Sequence, residues 1–282
     1  MGGVSFIMSD TLSIYEFSKL SGVCSSTLRY WDDIGIFTPT MRNPDNNYRH
    51  YSTAQLPTLN FVTSLCQLGI PLKTIAKIRK TRDPETIIDL FDRQEHQLDK
   101  DMAKLMTQYA IIHARRELIN MGMKADAEQI SVVELQERTM LLWPRNEYKQ
   151  NQSFLEPLAV HMAKAGDYLI NTSFPIAGYH DNLYTFTENP GCPDHFLSLD
   201  PHGAHKRKAG HYLTGYCRGY YGDLGDLPTR MLKYANENAL ELTGPVYTMY
   251  LHEEVSTTNP SEYLAQSSIA IANPNKKTRK KR

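Results

Sequence analysis

Apolar residues Leu12, Ile14, Phe17, Leu20 and Val23 recur at helical spacing, so one face of the opening segment turns inward. The pattern predicts a helix near 14–20, a tight turn at Gly22-Val23 and a second helix near 25–34. Leu28 and Ile34 fall on the inner side of that second helix. Ser25, Ser26, Thr27, Arg29 and Tyr30 face outward. A break at Gly35-Ile36-Phe37-Thr38-Pro39 follows. Between Arg42 and Tyr51 the turn formers Asn43, Pro44, Asp45 and Asn46 predict a wing. Ser52 opens a helix near 53–68, and Gly69-Ile70-Pro71 separates it from another near 72–81.

After Asp83-Pro84 no Gly or Pro occurs until Gly122, and the pattern narrows to a seam: Ile88, Phe91, Glu95, Leu98, Met102, Leu105, Tyr109, Ile112, Arg116, Ile119. Its steps alternate three and four, the spacing of a coiled coil. Only Glu95 and Arg116 interrupt it. An antiparallel pair centred on Leu105 sets Glu95 against the partner's Arg116, Leu98 against Ile112 and Met102 against Tyr109. A charge left unpaired in such a seam is costly, so the opposite-charge match predicts a homodimer. Glu95, Leu98, Met102, Leu105, Tyr109, Ile112 and Arg116 are its candidate contacts.

From about 128 to 273 the pattern changes to strands with two helices. Strands are expected at 130–135, 140–143, 174–180, 183–188, 195–199, 211–217, 246–251 and 263–271, and helices at 153–165 and 223–239. Strand, helix and strands occur twice, which predicts a duplicated α+β domain on an antiparallel sheet. The whole chain is thus expected to be multidomain, α followed by α+β. Its parts are a winged helix-turn-helix over 12–82, a long antiparallel coiled-coil helix over 84–121, an α+β domain over 128–273 and a disordered basic tail over 274–282.

Charge sharpens this division. The formal net charge is zero, yet residues 1–83 carry +3, residues 84–275 carry −9 and the tail carries +6. A basic amino-terminal part suits a polyanion and an acidic remainder tolerates cations. Cys24, Cys66, Cys192 and Cys217 fit no paired framework, so a reducing cytoplasm is expected. No apolar stretch approaches a membrane span.

A helix-turn-helix with a basic, aromatic loop behind it is suited to a DNA groove. Arg29, Arg42 and Arg49 are the main candidates for phosphate or base-edge contacts, with Tyr30, Tyr48 and Tyr51 adding hydroxyls and Lys73 a further phosphate contact. The words Gly22-Val23, Thr27-Leu28-Arg29-Tyr30-Trp31-Asp32, Ile34-Gly35, Pro39, Tyr48-Arg49-His50-Tyr51 and Leu68-Gly69-Ile70-Pro71-Leu72, followed by Ile75, carry a resemblance. By them, residues 12–80 resemble the winged helix-turn-helix of the MerR family of transcription regulators. That family has Ser where this chain has Cys24, and a thiol is a poor N-cap, so Ser25 or Ser26 is expected to cap. Trp31 replaces a common Tyr. The resemblance implies dimers on double-stranded promoter DNA whose polymerase-recognition elements are out of register. Effector binding would bend and undertwist that DNA for the RNA polymerase holoenzyme.

The second part resembles the gyrase-inhibitor-like effector-binding domain of multidrug-sensing MerR regulators. The residues that carry this are Pro175-Ile176-Ala177-Gly178-Tyr179-His180-Asp181, Gly210-His211-Tyr212, Gly219-Tyr220-Tyr221 and Leu242-Thr243-Gly244-Pro245-Val246-Tyr247. Trp143, Tyr148, Phe154, Tyr168, Tyr179, Tyr184, Phe186, Tyr216 and Tyr247 are candidate walls for a hydrophobic or cationic aromatic effector. The family often places a Glu after the residue matched by Tyr247, where this chain has Thr248. Glu188, Glu134 or Glu253 are the available substitutes, with Glu188 preferred because it closes a predicted strand containing Tyr184 and Phe186.

No cofactor is expected. A metal-sensing regulator is an alternative, with Cys192, His195, His202, His205 and His211 as a loose ligand set lacking compact spacing. An enzyme is the other alternative, a small-molecule hydrolase fused to a DNA-binding domain. Against it stand the missing phosphate-cradling glycine loop and the missing serine nucleophile elbow. His211 and Cys217, on one expected strand, do not by themselves make a dyad.

Overall fold

The computed structural model describes residues 11–79, 83–148, 153–164 and 173–272. It comprises two compact units, Met1–Ala103 and Lys104–Arg282. Tyr168 and the basic tail lie outside the described residues.

In the first unit, α1 (Ile14–Ser21) opens with a capping box in which the Ser13 hydroxyl accepts from the Glu16 amide and the Glu16 carboxylate accepts from the Ser13 amide. Gly22, at φ 74°, ends it, and α2 (Ser25–Asp33) follows. The wing is a three-stranded antiparallel sheet of β1 (Leu12–Ser13), β2 (Met41–Arg42) and β3 (Arg49–Tyr51), with β3 in the middle. A 3-10 turn over Thr53–Gln55 leads into α3 (Leu56–Gln67), and α4 (Leu72–Ile78) comes after Pro71. Phe17, Leu28, Trp31, Ile36, Phe37 and Tyr51 lie at the centre of the core.

Three expectations fail here for local reasons. Leu20 is exposed. Ile34 is exposed because α2 has already ended at Asp33, and Gly35 at φ 73° redirects the chain so that Ile36 and Phe37 enter the core instead. Neither Ser25 nor Ser26 caps α2. Cys24 holds the N-cap position in extended conformation and makes no capping bond.

Helix α5 (Pro84–Lys124) is continuous and runs through Gly122, where the sequence suggested a stop. Gly122 is needed there for a close approach, since a Cβ would meet the His252 ring at 2.5 Å.

In the second unit, β4 (Ile130–Leu135), β5 (Arg138–Arg145), α6 (Leu155–Ala163), β6 (Ile176–His180), α7 (Leu183–Glu188) and β7 (His195–Ser198) make a first half. A second half follows with β8 (His205–Arg207), β9 (Gly210–Arg218), α8 (Leu227–Glu237), β10 (Leu242–His252) and β11 (Leu264–Ile271). The eight strands lie in the order β4-β9-β11-β10-β6-β7-β5-β8. Exchanging each strand with its counterpart in the other half reverses that order onto itself. Each half therefore lends its first strand to the edge of the other, which is the duplication expected from sequence.

The segment expected as a strand at 183–188 is the helix α7. Asn182 caps it by accepting from the Thr185 amide, and Leu183 and Phe186 bury one face at a spacing of three. The even spacing of Tyr184, Phe186 and Glu188 was a coincidence of composition. The short strand β8 was not anticipated.

The sheet has two apolar faces. One, with Phe154, Phe196, Leu213, Leu227 and Tyr250, is covered by α6, α7 and α8. The other carries Met140, Leu197, Tyr247, Met249 and Leu264, and Leu118 of α5 packs against it.

Candidate functional site

On the first unit, α2 buries Leu28, Trp31 and Asp32 and leaves Ser26, Arg29 and Tyr30 outward. Tyr30 is 53% exposed and Tyr48, in the wing, 68%. The wing turn is fixed by side chains: Asn43 accepts from the Asp45 amide at 2.8 Å and Asn46 from the Tyr48 amide at 3.0 Å, while Asn47 takes φ 59°. Arg29, Tyr48, Arg49 and His50 line a cleft of about 460 Å³ with Ser13 and Ile14. Lys73 is exposed in the first turn of α4.

The two wing arginines are engaged elsewhere. Arg42 Nη2 and Arg49 Nε each donate to the buried Asp32 carboxylate at 2.5 Å, and Arg49 Nη2 donates to Asp33 at 2.8 Å. The hydrogen bond to Asp32 raises the Arg49 guanidinium above its ordinary value. These pairs brace the wing against α2.

Tyr51 is a correction. Its ring is fully buried, stacked against Phe17 with centroids 4.8 Å apart and against Phe37 at 5.8 Å. Its hydroxyl has no hydrogen-bond partner among the described residues, and burial pushes it up to about 12. It does not reach a DNA-facing surface. Cys24, which the sequence treated only as a poor cap, lies exposed at the start of α2 with Sγ 3.1 Å from the Ser26 hydroxyl and 3.0 Å from that of Thr27. Those contacts lower its thiol to about 7.

Along α5 the seam residues Ile88, Phe91, Leu98, Met102, Leu105, Tyr109 and Ile112 are 39–70% exposed, and Glu95 and Arg116 are exposed with them. Ile119 is half-buried. The large apolar residues that α5 buries lie off this seam: Leu90 in the core of the first unit and Leu118 in that of the second.

The second unit divides the expected effector residues between its surfaces. Trp143, Phe154 and Phe186 are core beneath the helices, with Trp143 Nε1 donating to Ser198 at 2.8 Å. Tyr184 and Glu188 are exposed on α7, so Glu188 is not a buried counter-ion. The Tyr148 hydroxyl donates to the Pro193 carbonyl at 2.9 Å. Of the described candidates, Tyr179, Tyr216 and Tyr247 belong to the face packed by α5. There Tyr179 meets His195, His205 and Tyr247 edge-on, with ring centroids 5.4–5.7 Å apart. His205 lies 3.2 Å from the Tyr247 hydroxyl, and burial lowers its pKa.

Thr248 points to the opposite, helix-covered face, by strand alternation, and shares a 2.8 Å hydrogen bond with Ser267. Glu134 is exposed on β4, and Glu253 is engaged by Arg115 and the Tyr221 hydroxyl. None of the three carboxylates considered from sequence serves a buried cation site.

A cavity of about 480 Å³ opens beside α5, with Met121, Leu135, Arg138, Arg207, Met249 and Gln266 in its lining. Met249 and Gln266 follow from the same two-residue alternation that places Tyr247. Nothing in the sequence marked Arg207. Among the described residues no group of three His, Cys, Asp or Glu side chains is placed to hold a metal ion. Burial pushes the Cys217 thiol up to about 12, far from a nucleophile's range.

Residues 12–81 match the sequence profile of the MerR HTH family regulatory proteins. The Bacillus subtilis multidrug-efflux transporter 2 regulator is 25% identical over 85% of this chain and 89% of its own length. The multidrug-efflux transporter 1 regulator of the same organism is 24% identical over 92% and 98%. A cryo-EM structure of an EcmrR–DNA complex aligns with 92% of this chain and 99% of its own at 18% identity and a TM-score of 0.38. These relatives are transcription regulators rather than enzymes, and no described helix is long and apolar enough to cross a membrane. With its winged helix-turn-helix matched by the MerR HTH family and most of its length aligned with such regulators, the chain is an effector-responsive, DNA-binding transcription regulator whose DNA-binding domain is of MerR type.

Proposed function

We propose that the chain works in the cytoplasm as a homodimer on promoter DNA, that a hydrophobic small molecule held in the second unit switches it, and that RNA polymerase holoenzyme reads the result. The observation that carries this reading is the exposed heptad seam of α5, an apolar strip broken only by one acid and one base. An antiparallel partner neutralises both charges and presents two copies of the α2 and wing surface to one duplex.

On that duplex Arg29, Tyr30, Tyr48 and Lys73 contact phosphates or base edges, with Ser25, Ser26 and Thr27 at the entry of α2. Arg42 and Arg49 hold the wing in place and offer their remaining N–H groups. Bending and undertwisting a site of this size costs roughly 1–6 kcal/mol, within reach of several charge-assisted contacts. The relatives named as multidrug-efflux transporter regulators support a hydrophobic effector of broad structure, bound on the sheet face that holds Tyr179, Tyr216 and Tyr247.

In vitro transcription from the promoter next to the gene, with polymerase holoenzyme and a panel of hydrophobic anions, cations and neutral compounds, tests the proposal. At least one compound is expected to change transcript yield in a protein-dependent way. A promoter that binds the protein without preference over random duplex, at moderate salt, would overturn it.

A further inference from the structure

The cavity beside α5 contains a cation, Arg207, that has no carboxylate partner among the described residues. Arg207, on edge strand β8, is only 5% exposed, and its Nε and Nη1 have no hydrogen-bond partner among the described residues. Nη2 reaches the Gln136 carbonyl at 3.3 Å, and the guanidinium lies 5.6 Å from the centre of the Tyr212 ring. Burial and the neighbouring Arg138 both lower its pKa. The two carboxylates in the lining are taken: Glu117 by Arg138 at 2.6 Å and Glu137 by Lys206 at 2.9 Å. Among the lining charges, Arg207 is thus the one without an ionic partner among the described residues. The buried Gln266 amide donates to the Tyr216 hydroxyl and has its other end unpaired. A buried arginine short of partners is costly unless something completes it.

We propose that this cavity binds a hydrophobic carboxylic acid, with Arg207 clamping the carboxylate and Met121, Leu135 and Met249 taking the apolar body. The inference rests on the effector reading given above and specifies the ligand's charge. A planar guanidinium matches a carboxylate through two parallel hydrogen bonds.

Calorimetry on the full-length protein with 1-naphthoate, its neutral amide 1-naphthamide and tetraphenylphosphonium tests the charge preference. Naphthoate is expected to bind, and naphthamide to bind at least about tenfold more weakly, as for loss of a charged hydrogen-bonded pair. Arg207→Met is expected to weaken naphthoate by a similar factor, and Arg207→Lys to recover part of the loss. Without ligand, Arg207→Met is expected to melt higher than the wild type, because an unpaired buried charge is gone.

Naphthoate affinity unchanged in Arg207→Met, or equal affinity for acid and amide in the wild type, overturns the proposal. Tetraphenylphosphonium binding that Arg207→Met preserves or improves, without naphthoate binding, overturns the anion preference and leaves the cavity as an effector site. Failure of all three probes to bind removes both readings. The acid-against-amide comparison needs no variant, so a misfolded mutant does not decide the outcome.

Discussion

At the scale of single residues, what separates Tyr51 from Tyr48, or Arg49 from Arg29, is location rather than chemistry. Spacing in the sequence brought all four to the DNA-binding part, and only the fold tells them apart. Tyr51 completes an aromatic stack and buries an unpaired hydroxyl. Tyr51→Phe is therefore expected to raise stability by about 1 kcal/mol, the gain from removing an unsatisfied buried group, without altering operator affinity. Thermal melts and fluorescence anisotropy check the two halves; weaker DNA binding with unchanged stability would restore Tyr51 to the interface. Arg29 is exposed on the outer face of α2. Arg29→Ala is expected to reduce operator affinity and, if the contact is to phosphate, to make the salt dependence shallower by about one ion. An unchanged slope with relaxed sequence preference would assign Arg29 to a base edge. Unchanged affinity would remove it from the interface.

At the scale of elements, legibility followed the strength of the repeat. The 41-residue helix α5 was readable because its three-four spacing persists through several heptads, and misreading its end at Gly122 cost three residues. Strands set by β-branched runs were also legible. The short α7 was not, since six residues hold too few turns to show a period and the decisive signal is one capping asparagine. The effector wall was the least legible part. Aromatic content identifies a domain rich in rings but not which sheet face each ring joins, and Trp143, Phe154 and Phe186 fell on the covered one. The seam gives the sharpest prediction at this scale. Leu105→Glu is expected to convert the dimer to monomer in sedimentation at micromolar concentration, by placing two like charges at the centre of the seam. Glu95→Arg is expected to weaken the dimer, and the double change Glu95→Arg with Arg116→Glu to restore it through the exchanged pair. A dimer indifferent to all three would place the contact on another surface.

At the scale of the molecule, two chemistries share one chain: a basic amino-terminal unit and a second unit whose cavity beside α5 is lined by an arginine without an ionic partner among the described residues. If the ligand acts by stabilising a distorted operator complex, linkage requires the effect to run both ways. Saturating operator duplex then raises ligand affinity by the factor by which saturating ligand raises operator affinity, and coupling of this kind is typically about 5–150-fold. Calorimetry of the ligand with and without operator, paired with anisotropy of the operator with and without ligand, measures both factors. Coupling above one is expected in each direction, together with a change in operator bend reported by energy transfer between dyes at the duplex ends. A ligand that alters transcription while both factors stay at one would mean that it binds the two operator conformations equally. Such a ligand cannot shift the equilibrium between them. The switch would then lie in the step at which polymerase engages the complex, and the DNA-distortion mechanism would have to be abandoned.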